Sequence, residues 1–336
     1  MLFRDAPSRV FINEVSVRDG FQSERRFVPT ADKIRLIDQL SRTGVAKIEV
    51  TSFVSPKAIP NLRDAAEVMA GITRQPGVVY SALVPNDKGA ERALAANADE
   101  INLVMSIGES HNLANMRMTC AQSLAAFRAV MTTVAGRGVK VNGVLATAFG
   151  CPFEGVQPLS RVLWAAEEYL ALGMDGLALC DTTGMAFPRQ VATYCRAVRQ
   201  AFPKVPLTLH FHNTRGMGLA NVLAALSVGI DSFDGSLGGI GGCPFAPGAT
   251  GNVCTEDTVH MLEGCGVATG VDVDALLPLA REMPALLGHD VPGQVARAGK
   301  STDLHPCPSS FCPSPGGLSE PLAAPSMGAD FLSSRH

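Results

Sequence analysis

The chain has 336 residues, 46% of them hydrophobic and 18% charged, with a net charge of −3. This is a globular composition, without the basic footprint of a nucleic-acid binder or an apolar run long enough for a bilayer span. Met1–Arg9 lacks the apolar core of a signal peptide, and the nine cysteines are scattered without zinc-ribbon or thioredoxin spacing, so a cytoplasmic setting is expected.

In chain order, strands are predicted over Val10–Arg18, Lys47–Phe53, Val78–Val84, Glu100–Ser106, Lys140–Thr147, Gly176–Asp181, Pro206–His212 and Ser232–Leu237. They are rich in Val, Ile and Leu, and several lack clean polar alternation, as strands covered on both faces do. Amphipathic helices fall between them, among them Ala31–Arg42, Ala121–Ala135, Leu159–Leu172, Pro188–Ala201 and Leu219–Val228. Pro29-Thr30 and Pro158-Leu159 mark helix starts, and Gly44, Gly136, Gly173 and Gly229 sit just past helix ends. Eight strands each followed by a helix predict an α/β fold, a (β/α)8 TIM barrel. A doubly wound sheet is disfavoured, because no glycine-rich turn follows the first strand. Asp272–Leu287 reads as a helical extension, and Pro306–His336, rich in Pro, Ser and Gly, as a disordered tail. The domain reading is therefore residues 1–300 as barrel and 301–336 as tail.

Polar residues gather at the predicted strand ends: Arg18-Asp19, Glu49 with Thr51, Asn102, Thr147, Asp181, His210 with His212, and Ser236. Alternate residues of a strand share a face, so His210 and His212 project together. Taken alone, such a pair is either two ordinary polar residues or two ligands of a divalent metal. In a barrel all these ends face one mouth, and strands one and seven flank strand eight. Asp19 can then meet both histidines, with Arg18 beside them.

Several segments together carry a resemblance. They are Arg18–Glu24 (RDGFQSE), Glu49–Lys57 (EVTSFVSPK), Phe149–Gly155 (FGCPFEG), His210-Phe211-His212, Gly241–Ala246 (GGCPFA), Gly248–Asn252 (GATGN) and Thr255-Glu256-Asp257. From about Val10 to Val291 the chain resembles the 3-hydroxy-3-methylglutaryl-CoA lyase family. The resemblance implies a metal site of Asp19, His210, His212 and Asn252, whose mixed nitrogen and oxygen donors suit Mg²⁺ or Mn²⁺. It also implies a retro-Claisen cleavage of an acyl-CoA. Arg18 would stabilise the thioester enolate, unless it serves only in an ion pair with Asp19 or Glu49. Glu49 and Asp181 would orient Arg18 and the ligands. Cys243, on a glycine-rich segment read as a mobile lid, would transfer a proton, the alternative being a packing thiol. Asp19, and after it His210, are the candidate bases; Asn252 has helix capping as its alternative role.

Some residues depart from the family pattern: Val17, Phe21, Ser23, Asn213 where Asp is common, and Arg215 where an aromatic is usual. None removes an implied ligand, so the implied chemistry stands, while Arg215 near the mouth leaves room for a different acyl chain. The expected substrate is 3-hydroxy-3-methylglutaryl-CoA, with citramalyl-CoA or another 3-hydroxyacyl-CoA as the alternative. The expected partners are this acyl-CoA and further copies of the chain, as a homo-oligomer such as a dimer. An isopropylmalate-type synthase is disfavoured, because the tail has no room for a regulatory domain. A non-catalytic barrel is disfavoured by the full set of site residues.

Overall fold

The computed structural model describes residues 6–242 and 251–306. Eight parallel strands close into one barrel: β1 (Phe11–Glu14), β2 (Lys47–Ser52), β3 (Val79–Leu83), β4 (Glu100–Ser106), β5 (Lys140–Ala146), β6 (Gly176–Asp181), β7 (Leu207–Phe211) and β8 (Ser232–Gly235). β1 closes the barrel against β8, with Phe11 opposite Ser232. A helix follows every strand, the last being Thr255–Gly264 after β8. The expected TIM barrel and its helical extension are thus present, the latter as Val273–Leu287 with Asp272 capping its first turn. Gly44, Gly136, Gly173 and Gly229 all take positive φ, as left-handed helix ends require. The compact unit containing the barrel ends at Gly299. Nearly all of the segment read as a disordered tail, from Cys307 onward, lies outside the described residues.

The outer faces of the strands supply the hydrophobic core. Ile101, Leu103 and Met105 on β4, and Leu207, Leu209 and Phe211 on β7, are buried with helix residues such as Leu36, Phe127, Tyr169 and Val222. Each such side chain contributes roughly 1.5–3 kcal/mol by leaving water. The barrel interior differs. Asn13, Lys47, Ser81, Asn102, Asn142 and Thr208 face a cavity of about 1030 Å³ where many TIM barrels pack branched apolar side chains.

Two strands stop earlier than their sequence suggests. β1 ends at Glu14 rather than at Arg18, and Ser16–Gly20 winds into a single π-helical turn. The carbonyl of Val15 accepts the N–H groups of Asp19 at 2.7 Å and Gly20 at 3.4 Å. The alternation of Val15 and Val17 imitates a strand, but the buried Glu14 carboxylate diverts the chain. It accepts the Ser16 and Leu237 N–H groups at 2.8 and 3.0 Å and the Thr255 hydroxyl at 2.7 Å. β8 stops at Gly235 rather than at Leu237, and Leu237–Gly239 forms a 3₁₀ turn. Both strands therefore hand over to turns at the mouth, joined by one carboxylate.

A second buried carboxylate ties down the same turn. Glu256 accepts the Gly238 N–H at 3.2 and 3.1 Å. Burial pushes its pKa from 4.5 up to about 7, although a hydrogen bond with Cys254 works in the opposite direction. Between these two values the folded protein holds a proton that the unfolded chain releases. Stability from this group is therefore full below about pH 4.5 and declines as pH rises through 7, by an amount on the order of 2–3 kcal/mol. Glu256→Gln should remove that decline. Denaturant unfolding at pH 5 and pH 8 checks it, and an equal pH dependence in both proteins would refute the assignment.

Candidate metal centre and active site

The site occupies the mouth formed by the C-terminal ends of the strands. Pleating places His210 on β7 and His212 just beyond it on the same side, with Nε2 atoms 3.1 Å apart. The π-helical turn after β1 brings in Asp19, whose Oδ2 lies 3.9 Å from His212 Nε2. Ligand atoms of these three buried residues all lie within 4.8 Å of one another.

Asn252 lies against this group. Backbone bonds from Asn213 N to Gly251 O (2.8 Å) and from Val253 N to Phe211 O (2.9 Å) lay its segment along the end of β7. Its Nδ2 donates to Asp19 Oδ2 at 2.8 Å and to the Ile240 carbonyl at 2.9 Å. Those two acceptors fix the amide orientation. Its Oδ1 is left buried without a partner among the described residues. An orphaned buried oxygen is costly in a folded protein and is what a cation ligand requires. Helix capping, its alternative role, is not observed: the helix beginning at Thr255 has Cys254 at its cap position.

The protonation states suit the same purpose. Burial would raise the Asp19 carboxyl, but the Arg18 charge and the two histidines overcome it and hold the pKa at about 2. Burial and the neighbouring His210 push His212 down to about 3, so its ring is neutral at physiological pH. Burial also disfavours a charged His210, but the hydrogen bond and charge of Asp234 outweigh it and raise the pKa. His210 Nδ1 lies 3.1 Å from Asp234 Oδ2. A carboxylate can only accept, so Nδ1 carries the proton and Nε2 is free to ligate. Asp19, His210 and His212 thus form a buried nitrogen and oxygen cluster positioned to chelate a divalent cation such as Mg²⁺ or Mn²⁺, with the amide of Asn252 against it.

Arg18 stands beside this shell. Both ion pairs considered from sequence exist: to Asp19 Oδ1 at 2.7 Å and to Glu49 Oε2 at 2.5 Å. Burial would lower the guanidinium pKa, but Glu49 and Asp19 raise it instead, so Arg18 stays charged. Gln22 also donates to Asp19 Oδ1, at 2.8 Å. Asp181, expected to orient Arg18 or the ligands, instead accepts the Met185 and Ala186 N–H groups at 2.7 and 3.0 Å. It fixes the loop after β6, and burial raises its carboxyl to about 6. Arg215 donates to the carbonyls of Thr183 and Gly184 at 3.0 and 2.8 Å, so its fork is committed to that same loop. Asn213 Oδ1 accepts the Gly218 N–H at 3.0 Å, opening the helix after β7.

Cys243 lies outside the described residues. Two described glycines on either side of it, Gly241 and Gly251, have a steric reason as well as a conformational one. A Cβ on Gly241, at φ +99°, would stand 2.6 Å from Asn252 Nδ2. One on Gly251, at φ +107°, would stand 2.1 Å from the Gly239 carbonyl oxygen. The segment passes too close to the site for any side chain at these points.

Sequence reasoning missed Asp234, Gln22 and Glu14. Asp234 alternates with Ser232 and Ser236 along the end of the chain's last barrel strand, and that two-residue period was the available signal.

Comparison with known proteins agrees with this geometry. The model of the HMGL-like family matches residues 9–282. Hydroxymethylglutaryl-CoA lyase of Bacillus subtilis is 44% identical over 296 residues, covering 88% of this chain and 99% of that protein. (R)-citramalyl-CoA lyase of Chloroflexus aurantiacus is 41% identical over 300 residues, covering 86% and 95%. The solved structure of an HMG-CoA lyase from A. baumannii, in complex with coenzyme A and 3-methylmalate, superimposes with a TM-score of 0.87. It is 56% identical and covers 90% of this chain and 98% of its own. With the family model spanning the whole barrel and relatives above 40% identity along nearly their full length, the chain belongs to the HMGL-like family.

Proposed function

We propose that the chain is a divalent-metal-dependent carbon–carbon lyase that cleaves 3-hydroxy-3-methylglutaryl-CoA to acetyl-CoA and acetoacetate. The observation that carries this reading is the buried Asp19, His210 and His212 cluster with the braced guanidinium of Arg18 beside it. In the reaction the C3 hydroxyl loses its proton and the C2–C3 bond breaks. C3 becomes the ketone carbonyl, and the bonding pair passes to C2 as the enolate of acetyl-CoA, which is then protonated at C2.

Asp19, His210, His212 and Asn252 would hold the metal, and Mg²⁺ or Mn²⁺ bound there would supply acidification of the C3 hydroxyl and help orient the scissile bond. Arg18 faces the thioester oxygen and stabilises the enolate, a role worth about 3–4 kcal/mol for one donor. Glu49 aims Arg18 through their short contact. The base that takes the hydroxyl proton is drawn from Asp19 and His210. With Nδ1 bonded to Asp234 and Nε2 given to the metal, His210 keeps no lone pair for that proton, which leaves Asp19 as the leading candidate. Cys243 returns a proton to C2.

A second reading has one observation behind it, the 41% identity to the citramalyl-CoA lyase. Residues 1–300 constitute the lyase domain and 301–336 its tail. The enzyme works in the cytoplasm as a homo-oligomer. No helix of the described residues is long and apolar enough to cross a membrane.

Purified protein with Mg²⁺ should release acetoacetate from 3-hydroxy-3-methylglutaryl-CoA faster than it releases pyruvate from citramalyl-CoA. Chelation should stop turnover and added Mg²⁺ or Mn²⁺ should restore it; the opposite substrate order would favour the second reading. His212→Ala should weaken divalent binding about 10-fold or more in calorimetry, and unchanged affinity would make the histidine pair structural. Arg18→Lys keeps the charge but loses the planar fork. Its kcat should fall at least about 10²-fold with little change in acyl-CoA affinity, and a defect in KM alone would reassign Arg18 to docking. Cys243→Ser should lower kcat by about 10²–10⁴-fold with metal affinity intact, and full activity would remove its proton-transfer role.

A further inference from the structure

We propose that Asn102, on β4, is a positioning residue that aims Arg18 by holding Glu49 in one orientation. Asn102 is buried and faces the barrel interior. Its Nδ2 donates to Glu49 Oε1 at 2.7 Å, and its Oδ1 accepts Asn142 Nδ2, from β5, at 3.1 Å. The other oxygen of Glu49, Oε2, meets Arg18 Nε at 2.5 Å. The result is a connected network across four elements, in which Asn142 donates to Asn102 while Asn102 and Arg18 both donate to the Glu49 carboxylate.

Every direction in that chain is fixed. Glu49 can only accept, so the Asn102 amide must turn its NH₂ to the carboxylate and its oxygen to Asn142. Gly176 leaves the space this needs, since a Cβ there would stand 3.1 Å from Asn142 Oδ1. With Oε1 unheld, the Glu49 carboxylate could turn about its terminal torsion, whose energy well is broad. Arg18 would follow it. The other ion-pair partner of Arg18 is its own chain neighbour Asp19, so Glu49 is the contact that registers the guanidinium against the barrel wall.

This inference rests on the proposed role of Arg18, and a double-mutant cycle separates the two. Asn102→Val removes the donor at similar volume. It should lower kcat about 10-fold, as expected for a small misplacement of a catalytic group, with KM within about 2-fold. Glu49→Gln should lower kcat further. On that background Asn102→Val should add less than about 2-fold, because both changes act through one carboxylate. Unchanged kcat in Asn102→Val, or a full 10-fold loss that persists on the Glu49→Gln background, would overturn the positioning role. Wild-type turnover in Glu49→Gln would instead overturn the Arg18 reading, and this proposal with it. Should Asn102→Val fail to fold, Asn142→Ala repeats the cycle one bond further out. A loss of about 2–5-fold absorbed by Glu49→Gln supports the chain, and an unchanged or additive effect refutes it.

Discussion

The mouth of this barrel is organised around one buried negative charge, the carboxylate of Asp19. Taking a carboxylate out of water is expensive unless its oxygens are paired. Here Oδ1 accepts Arg18 and Gln22, and Oδ2 accepts Asn252. Each partner comes from a different device. The π-helical turn supplies Arg18 and Asp19 side by side, Gln22 follows one turn later, and the segment across β7 supplies Asn252. The same carboxylate draws the two imidazoles toward one point. Without that charge Arg18 would keep only Glu49, Asn252 only the Ile240 carbonyl and His210 only Asp234, with no common partner to join them.

Two other carboxylates repeat a common arrangement around it. Glu49 turns one oxygen to Arg18 and the other to Asn102. Asp234 turns one oxygen to His210, and its Oδ1 accepts Asn13 Nδ2 at 2.9 Å. In both cases an asparagine from another strand occupies the oxygen that the functional residue leaves free. This explains why the barrel interior is polar. Asn13, Asn102 and Asn142 replace apolar filling and so forgo hydrophobic stabilisation, but a carboxylate with one unpaired oxygen would cost more. Stability comes instead from the apolar layer between strands and helices, which is continuous around the barrel.

The loops above the strands show how far small changes can matter without touching the shell. Arg215 and Asp181 brace one loop from two sides, by carbonyl and amide contacts respectively. The departures from the family pattern at Asn213 and Arg215 therefore act on loop and helix placement rather than on the ligands.

The linear chain specified the barrel because its signals are local. Runs of Val, Ile and Leu alternate with amphipathic helices, and glycines with positive φ stand at helix ends. The pairing of His210 with His212 was equally legible, since a two-residue spacing on a strand needs no tertiary information. The family resemblance implies Asp19 and Asn252 as ligands with Arg18 beside them, but the convergence of these residues depends on turns the sequence disguises. Val15 and Val17 read as strand, but the buried Glu14 carboxylate, bonded to Leu237 and Thr255 beyond the adjacent strand, anchors the point where the chain enters a π-helical turn. Asp234, Asn102 and Asn13 carry no motif either. Their roles follow from strand register, which sets Asp234 beside His210 and Asn142 beside Asn102. Hydrogen bonds between residues far apart in sequence exist only once the barrel has closed, so tertiary structure alone decided how the charges at its mouth are aimed.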